Sequence, residues 1–312
     1  MRKYILAAIL GFLLSGPVSG CLNGDTKLLA NGEMLFGDYE GFVPYGHNFG
    51  GNDRLKELLV SLEKGYKETK HVDYLSDQGY ILILQGKYRE AVDLYKRIES
   101  MAPGRYSTAS NMGTAYELLG NDKEALRWIE RSVKISSKSH FYSEWIHINI
   151  LKAKLKGEKY FTSQHLINTD FGKEDLPKST LKKEGLELLR EQLYYQLNER
   201  ISFVVPKDKI VAQLLFDLGN ISYLLADKDG ARETFEKAKE YGFEDPILKI
   251  RIELYHPPII DHAKKEIKKE LKFQTKQVRR SQLIGIFVSI LSLLLSGLIV
   301  FIFRKKIFPM LK

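Results

Sequence analysis

Leu75-x3-Gly79-x2-Leu82, followed by Gly86-Lys87-Tyr88, Ala91-x3-Tyr95 and Pro103, is the stretch on which the fold turns. It returns 34 residues later as Met112-Gly113-x2-Tyr116, Gly120-Asn121-Asp122 and Ala125-x3-Ile129. Gly79 to Gly113, Gly86 to Gly120 and Ala91 to Ala125 are each 34 apart, so three independent markers share one period. Self-similarity at such a period marks stacked supersecondary units, none of which can bury its apolar face alone. A further unit stands later in the chain: Leu215-x2-Leu218-Gly219, a turn at Asp227-Lys228-Asp229-Gly230, then Ala231-x3-Phe235-x2-Ala238. Ala231 follows Ala91 by 140 residues, four periods plus four, which leaves room for two degenerate units and a small insertion.

The pattern resembles the tetratricopeptide repeat family. Its small residues let two antiparallel helices cross closely while its large ones fill the space between neighbours. The first unit departs from that pattern at Gln78, where the family carries Leu, and the second has Ser137 in place of the closing proline. The resemblance implies an all-α solenoid of helical hairpins over residues 52–256, with clear repeats at about 72–105, 106–139 and 212–245. It also implies a concave groove, lined by the first helix of each repeat, that grips an extended peptide or a helix. Carried over by register, the groove positions are Asp73, Ser76, Tyr80 and Ile83, then Ser110, Thr114 and Glu117, then Gln213, Phe216, Asn220 and Tyr223. This set is mixed and polar, without the basic clamp that captures a free carboxylate. Its aromatics point to stacking or apolar anchoring, with core packing the alternative for Phe216.

Between the clear units, Ser143 to Leu155 has apolar Trp145, Ile148, Leu151 and Leu155 at helical spacing, and Leu186, Leu189, Leu193 and Leu197 mark another helix. Phe161 to Ser179, with Asn168-Thr169-Asp170-Phe171-Gly172 and Leu176-Pro177, reads as an irregular excursion of the kind that carries function. Before the array, Asp53 to Leu62 forms an amphipathic helix on Leu55, Leu58, Leu59 and Leu62. Residues 21–51 read as an extended, glycine-rich tether. Within it, Phe42-Val43-Pro44-Tyr45-Gly46-His47-Asn48-Phe49-Gly50-Gly51 sets three aromatics among glycines. That run fits either a tether packed on the first helix or a partner-binding lid.

The net charge of +9 is local. Residues 261–312 hold twelve Lys and Arg against Asp261, Glu266 and Glu270, which leaves 36 charges of each sign in the remainder. Nucleic-acid binding needs a basic patch on the folded region, and is excluded on that ground. The excess instead flanks a hydrophobic segment. Leu283 to Phe303 is 21 residues without charge or proline, roughly 31 Å as a helix, which matches a bilayer core. A transmembrane helix is expected there. It follows a basic juxtamembrane helix over 257–282, suited to anionic lipid headgroups. Arg304, Lys305 and Lys306 open a short tail, 304–312, expected in the cytoplasm. The eight Lys and Arg between 264 and 280 argue for the reverse orientation, but an N-terminal export signal dominates the first insertion. Gly285, Ser289, Ser292 and Ser296 share one face of the span, a stripe suited to self-association or to docking another membrane helix.

At the other end, a positive start and the apolar run Tyr4 to Leu14 read as a signal peptide over 1–20. Val18-Ser19-Gly20-Cys21 resembles the bacterial lipobox, which implies lipidation of Cys21, the chain's sole cysteine. The chain is therefore expected on the bacterial cytoplasmic membrane, its solenoid facing the periplasm or exterior.

No catalytic constellation is legible. The seven histidines include no metal-binding His-Glu-x2-His pair, cysteine ligands are absent, and no phosphate-cradling loop appears. His140 and His147, two helical turns apart, read as packing or surface polarity. No catalysis, metal or cofactor is expected. The reading is a membrane-anchored scaffold for other envelope proteins or peptides. Two rivals are a repeat lipoprotein of an envelope assembly, secretion or pilus system, and an enzyme built from segments 161–179 and 42–51.

Overall fold

The computed structural model of the protein describes residues 26–37, 41–138 and 140–254. The expected signal peptide, Cys21, the juxtamembrane and transmembrane helices with Gly285, Ser289, Ser292 and Ser296, and the 304–312 tail all lie outside the described residues. Among those described, no helix is long and apolar enough to cross a membrane.

The chain enters on a β-hairpin and continues as helices. β1 (Thr26–Leu28) pairs antiparallel with β2 (Met34–Gly37), Thr26 opposite Gly37. This corrects the reading of 21–51 as an extended tether. Leu29, Leu35 and Phe36 are buried, because the hairpin lies on the first helices. The signal for it is Asn31-Gly32: Gly32 holds φ +84°, a left-handed value that a tight turn requires and an L side chain resists.

The helices are α1 (Asn52–Thr69), α2 (Val72–Leu84), α3 (Tyr88–Met101), α4 (Tyr106–Leu118), α5 (Asp122–Ile135), α6 (Glu144–Lys156), α7 (Ser163–Ile167), α8 (Lys183–Ile201), α9 (Lys209–Leu224), α10 (Lys228–Glu240) and α11 (Ile247–Glu253). Each from α1 to α7 packs on the next, as do α8 to α11. Three hairpins, α2/α3, α4/α5 and α9/α10, are built alike. A methyl on Gly79 would fall 2.6 Å from Tyr95 Cζ, one on Gly113 2.5 Å from Ile129 Cδ1, and one on Gly219 2.5 Å from Phe235 Cε1. In every case the large residue stands 16 positions after the glycine. The glycines thus make the crossing close enough for one large side chain to lie against the opposing backbone.

The turns are also equivalent. Gly86 N donates to Ile83 O and Lys87 N to Leu82 O; Gly120 N to Glu117 O and Asn121 N to Tyr116 O; Ala226 N to Tyr223 O and Asp227 N to Ser222 O. Asn121 and Asp227 then cap α5 and α10 by accepting from Glu124 N and Gly230 N. The third turn holds Ala226 at φ +63°, where the other two have glycine. Ala226→Gly is therefore expected to stabilise the protein by about 0.5–1 kcal/mol, the relief of left-handed strain exceeding the added unfolded-state entropy. An unchanged or lower urea midpoint would contradict this.

The repeat lapses in the third unit. Thirty-four residues after Gly113 stands His147, and 16 beyond it Ser163 opens α7, only five residues long. The helix expected at 143–155 is α6, and of its apolar positions Leu151 is buried, Trp145 and Ile148 pack at core margins, and Leu155 faces out. Ile146, His147, Ile150 and Ala153 are buried as well, because α6 is enclosed by α5, α7 and α8. Two main cores result. One joins the β-hairpin to α1–α4 and Trp128, the other joins α6 and α7 to α8–α11.

Candidate protein-binding groove

Eleven positions were assigned to the groove by register, and the structure gathers only some of them. Ser110, Thr114 and Glu117 line one cavity of about 210 Å³ with His147, Lys154, Gln196, Arg200 and Phe203. The first-unit and late-unit positions are covered by the chain itself. Lys27 on β1 donates to Asp77 Oδ1 at 3.0 Å and Ala30 N to Asp77 Oδ2 at 2.6 Å, laying the hairpin over α2. Burial raises the Asp77 carboxyl, and Lys27 offsets this only in part. Ser76, Tyr80 and Ile83 are buried, with Phe49 set edge-on to Tyr80 and also touching Phe203. Asp73 is tied to Arg105 and lies 3.3 Å from His71 Nδ1.

In the late unit Gln213 donates to Ser163 Oγ at 3.0 Å, and Asn220, 0% exposed, accepts from Arg251 at 2.7 Å. Phe216 stacks on Phe243 at 4.2 Å, and Tyr223 packs at the margin of the same core. Tyr80, Ile83, Phe216 and Asn220 are therefore interior residues here rather than open contact positions. Register places them on the groove-lining helices, but segments 26–37, 41–50 and 161–179 cover them. The expected excursion at 161–179 is a plug, with Leu166, Ile167 and Phe171 buried and Glu174 O accepting from Arg251.

The middle of the groove holds a charge cluster that sequence reasoning missed. Arg200 on α8 donates both terminal nitrogens to Glu117 on α4, at 2.9 and 3.1 Å. His147 Nε2 lies 2.6 Å from the same carboxylate, and Lys154 Nζ donates to it at 3.2 Å while reaching Asp122 at 2.8 Å. A second carboxylate, Glu144, accepts from Tyr106 Oη at 3.1 Å and lies 2.6 Å from His140 Nδ1 and 3.6 Å from His147 Nδ1. Burial opposes the charged form of both carboxyls. Arg200, His147 and Lys154 nonetheless hold Glu117 well below the usual carboxylate range, and the two histidines do the same to Glu144. Burial likewise opposes a charged His147, but Glu117 and Glu144 on either side raise it above the ordinary imidazole value.

The cluster ties α4, α6 and α8 together through one set of buried charges. The available signal was the pair His140 and His147 with Glu144 between them, although His140 stands in a short 3-10 turn before α6 rather than on that helix. Glu117 lies 30 residues from His147, and Arg200 lies 83 residues from Glu117. Among the described residues, no group of three His, Cys, Asp or Glu side chains is placed to hold a metal ion.

Asp217 on α9 behaves in the opposite way to Glu117 and Glu144. It meets only neutral donors, Ser163 Oγ at 2.7 Å and Gln213 Nε2 at 3.2 Å, and burial pushes it up to about 8. An acid raised in the folded state binds its proton more tightly there than when unfolded. Its effect is absent below about pH 4, the unfolded value, grows as a loss of stability with rising pH, and levels off above about 8. Asp217→Asn is expected to remove that loss, so the gap between variant and native urea midpoints should widen from pH 5 to pH 8. A constant gap would show that Asp217 ionises freely in the fold.

No protein-family model matches this chain, and no curated protein does. Among solved structures it is similar to MamA from Desulfovibrio magneticus RS-1 at 15% identity, over 60% of this chain and 85% of that one, with a TM-score of 0.32. It is also similar to a tetratricopeptide repeat protein from Parabacteroides merdae at 17% identity, over 65% and 78%, TM-score 0.32. A third is YrrB, described as a tetratricopeptide repeat protein with an unusual peptide-binding site, at 13% identity over 60% and 95%, TM-score 0.31. The assignment of class stands on the hairpins themselves. Three glycine-crossed hairpins with equivalent turns give the chain a tetratricopeptide-like helical-hairpin fold, here one in which most of the candidate groove positions are covered by its own segments.

Proposed function

We propose that this protein is a non-catalytic scaffold that holds protein or peptide partners on its solenoid, anchored to the bacterial cytoplasmic membrane and facing the periplasm. The observation that carries the reading is the set of like hairpins, α2/α3 and α4/α5 stacked in succession and α9/α10 built the same way; stacked helical hairpins of this kind serve to present surfaces to partners. The anchor rests on the sequence: the uncharged span 283–303 with basic flanks, and the lipobox-like residues before Cys21. Self-association through Gly285, Ser289, Ser292 and Ser296, and lipid contact along 257–282, belong to the same proposal.

Crosslinking in native membranes followed by identification of the captured proteins tests the scaffold. A stoichiometric envelope partner is expected; its absence, together with turnover on a panel of hydrolase substrates, would favour the enzyme reading. Fractionation tests the address, since recovery with outer-membrane markers would favour the assembly-lipoprotein reading. Cys21→Ala is expected to abolish incorporation of labelled fatty acid and to slow maturation of the precursor. Processing at the same site without label in either form would remove the lipid.

A further inference from the structure

Segment 41–47 crosses α8 as an extended chain held by side chains. Asn198 Oδ1 accepts from two successive main-chain groups, Tyr45 N at 3.1 Å and Gly46 N at 2.8 Å, and Ser202 Oγ accepts from His47 N at 2.8 Å. Arg190, Tyr194 and Asn198 recur every fourth residue and so form one stripe along α8. The Arg190 guanidinium lies 3.8 Å over the Phe42 ring, and Tyr194 meets that ring edge-on at 5.9 Å. From α10, one turn apart, Glu233 accepts from Tyr45 Oη while Lys237 Nζ stands 4.6 Å over the Tyr45 ring. The two helices thus offer two aromatic cradles and a pair of side-chain acceptors, Asn198 Oδ1 and Ser202 Oγ, for main-chain N–H groups.

The segment fills this site poorly. A cavity of about 720 Å³ remains between Phe42–Asn48, Tyr194, Asn198 and Glu233, and Tyr45 is 56% exposed. The cavity is an open cleft at the surface, with room beside the segment for further chain. Beyond His47 the chain changes character: the His47 ring stacks on Phe36 at 4.0 Å, and Phe49 joins the first core. Residues 42–46 thus form a short bridge over α8 and α10, with the β-hairpin 26–37 and His47–Phe49 seated on the first core on either side of it.

We propose that this α8–α10 cleft is a binding site for an extended partner segment of the form aromatic-x-x-aromatic-Gly, occupied in the isolated chain by residues 42–46 as a tethered competitor. The proposal rests on the scaffold reading and names the kind of partner it takes. Two aromatics three apart reach the two cradles. The residue after the second must be glycine: Gly46 has φ +79°, and a Cβ there would lie 3.2 Å from Ser202 N.

The test uses the full-length protein in detergent and a fluorescent peptide of residues 41–47, followed by anisotropy. A tethered segment acts at an effective concentration of about 1 mM, so native protein should bind the free peptide weakly. Phe42→Ala/Tyr45→Ala removes the competitor's anchors, leaves the cleft intact, and should tighten binding at least about tenfold. Gly46→Val, which forces the segment off α8, should do the same by a different route. Adding Asn198→Ala to either variant should return binding to the native level or below. Equal binding by native and both opened proteins, or binding indifferent to Asn198→Ala, would overturn the proposal. Partner capture by crosslinking is a separate readout. A captured partner without peptide binding sinks only this site; peptide binding with no captured partner sinks only the scaffold.

Discussion

Glu117→Leu is expected to destabilise the protein by about 3 kcal/mol, since removing one member of a buried charge cluster strands the others without compensation. Arg200, His147 and Lys154 all point at this carboxylate, and Glu117, Arg200 and His147 are each about nine-tenths shielded from water. After the change, His147 keeps Glu144 and Lys154 keeps Asp122, but Arg200 loses both of its hydrogen bonds to the cluster. For a unit of this size such a loss lowers Tm by about 10 °C. The double variant Glu117→Leu/Arg200→Met should recover much of it, because a pair replaced by apolar groups no longer carries the desolvation cost of a lone cation.

The single and double variants also separate the cluster's pH behaviour. The folded-state value of Glu117 is depressed, so its contribution is present above the ordinary glutamate range and is lost as pH falls through the lowered value. That of His147 is raised, so its contribution is full below about pH 6.5 and lost as pH climbs through the folded value. Native protein is expected to be most stable between the two. In Glu117→Leu the alkaline loss should shrink, because one of the carboxylates that raises His147 is gone. Full additivity of Glu117→Leu and Arg200→Met would show that the two side chains do not interact.

The second large effect is expected at Gly113. Valine there would place Cβ 2.5 Å from Ile129 Cδ1 and 3.3 Å from Ile129 N. The side-chain atom can turn away but the backbone nitrogen cannot, so α4 and α5 must separate. Overpacking of this kind costs about 1–3 kcal/mol, and the added β-branch brings the expected loss to the upper end. Ile129→Ala in the same chain should restore part of it by vacating the space, where on its own it would be destabilising. If Gly113→Val proved neutral in a urea titration, the close crossing would not be holding this hairpin together. Gly79 and Gly219 meet Tyr95 and Phe235 rings in the same way, so the argument extends to all three hairpins.

Those crossings were legible in the sequence because they are local. Glycine and its large partner lie 16 residues apart within one hairpin, and the period of 34 displays the same pair twice in succession. Ala91, Ala125 and Ala231, each 0% exposed, likewise read directly as sites where a second helix comes close. The β-hairpin was not read, although Asn31-Gly32 marks its turn, because the surrounding glycines drew attention to flexibility rather than pairing. Ala226 escaped notice for the opposite reason: the residue that takes a glycine's place gives no sign of the conformation it must adopt.

What the sequence determined by itself is the repeated unit: where helices start, where they cross, and that they stack. Whether the inner surface of the stack is open was decided only by tertiary structure. Glu117 meets Arg200 across 83 residues, and Gly46 meets Asn198 across 152. Such contacts depend on how far the solenoid curves before α8 and on segments outside the repeat, for which no periodicity exists to read. Register names the residues that face inward, but burial of those residues by their own chain follows from the summed geometry of every hairpin between them.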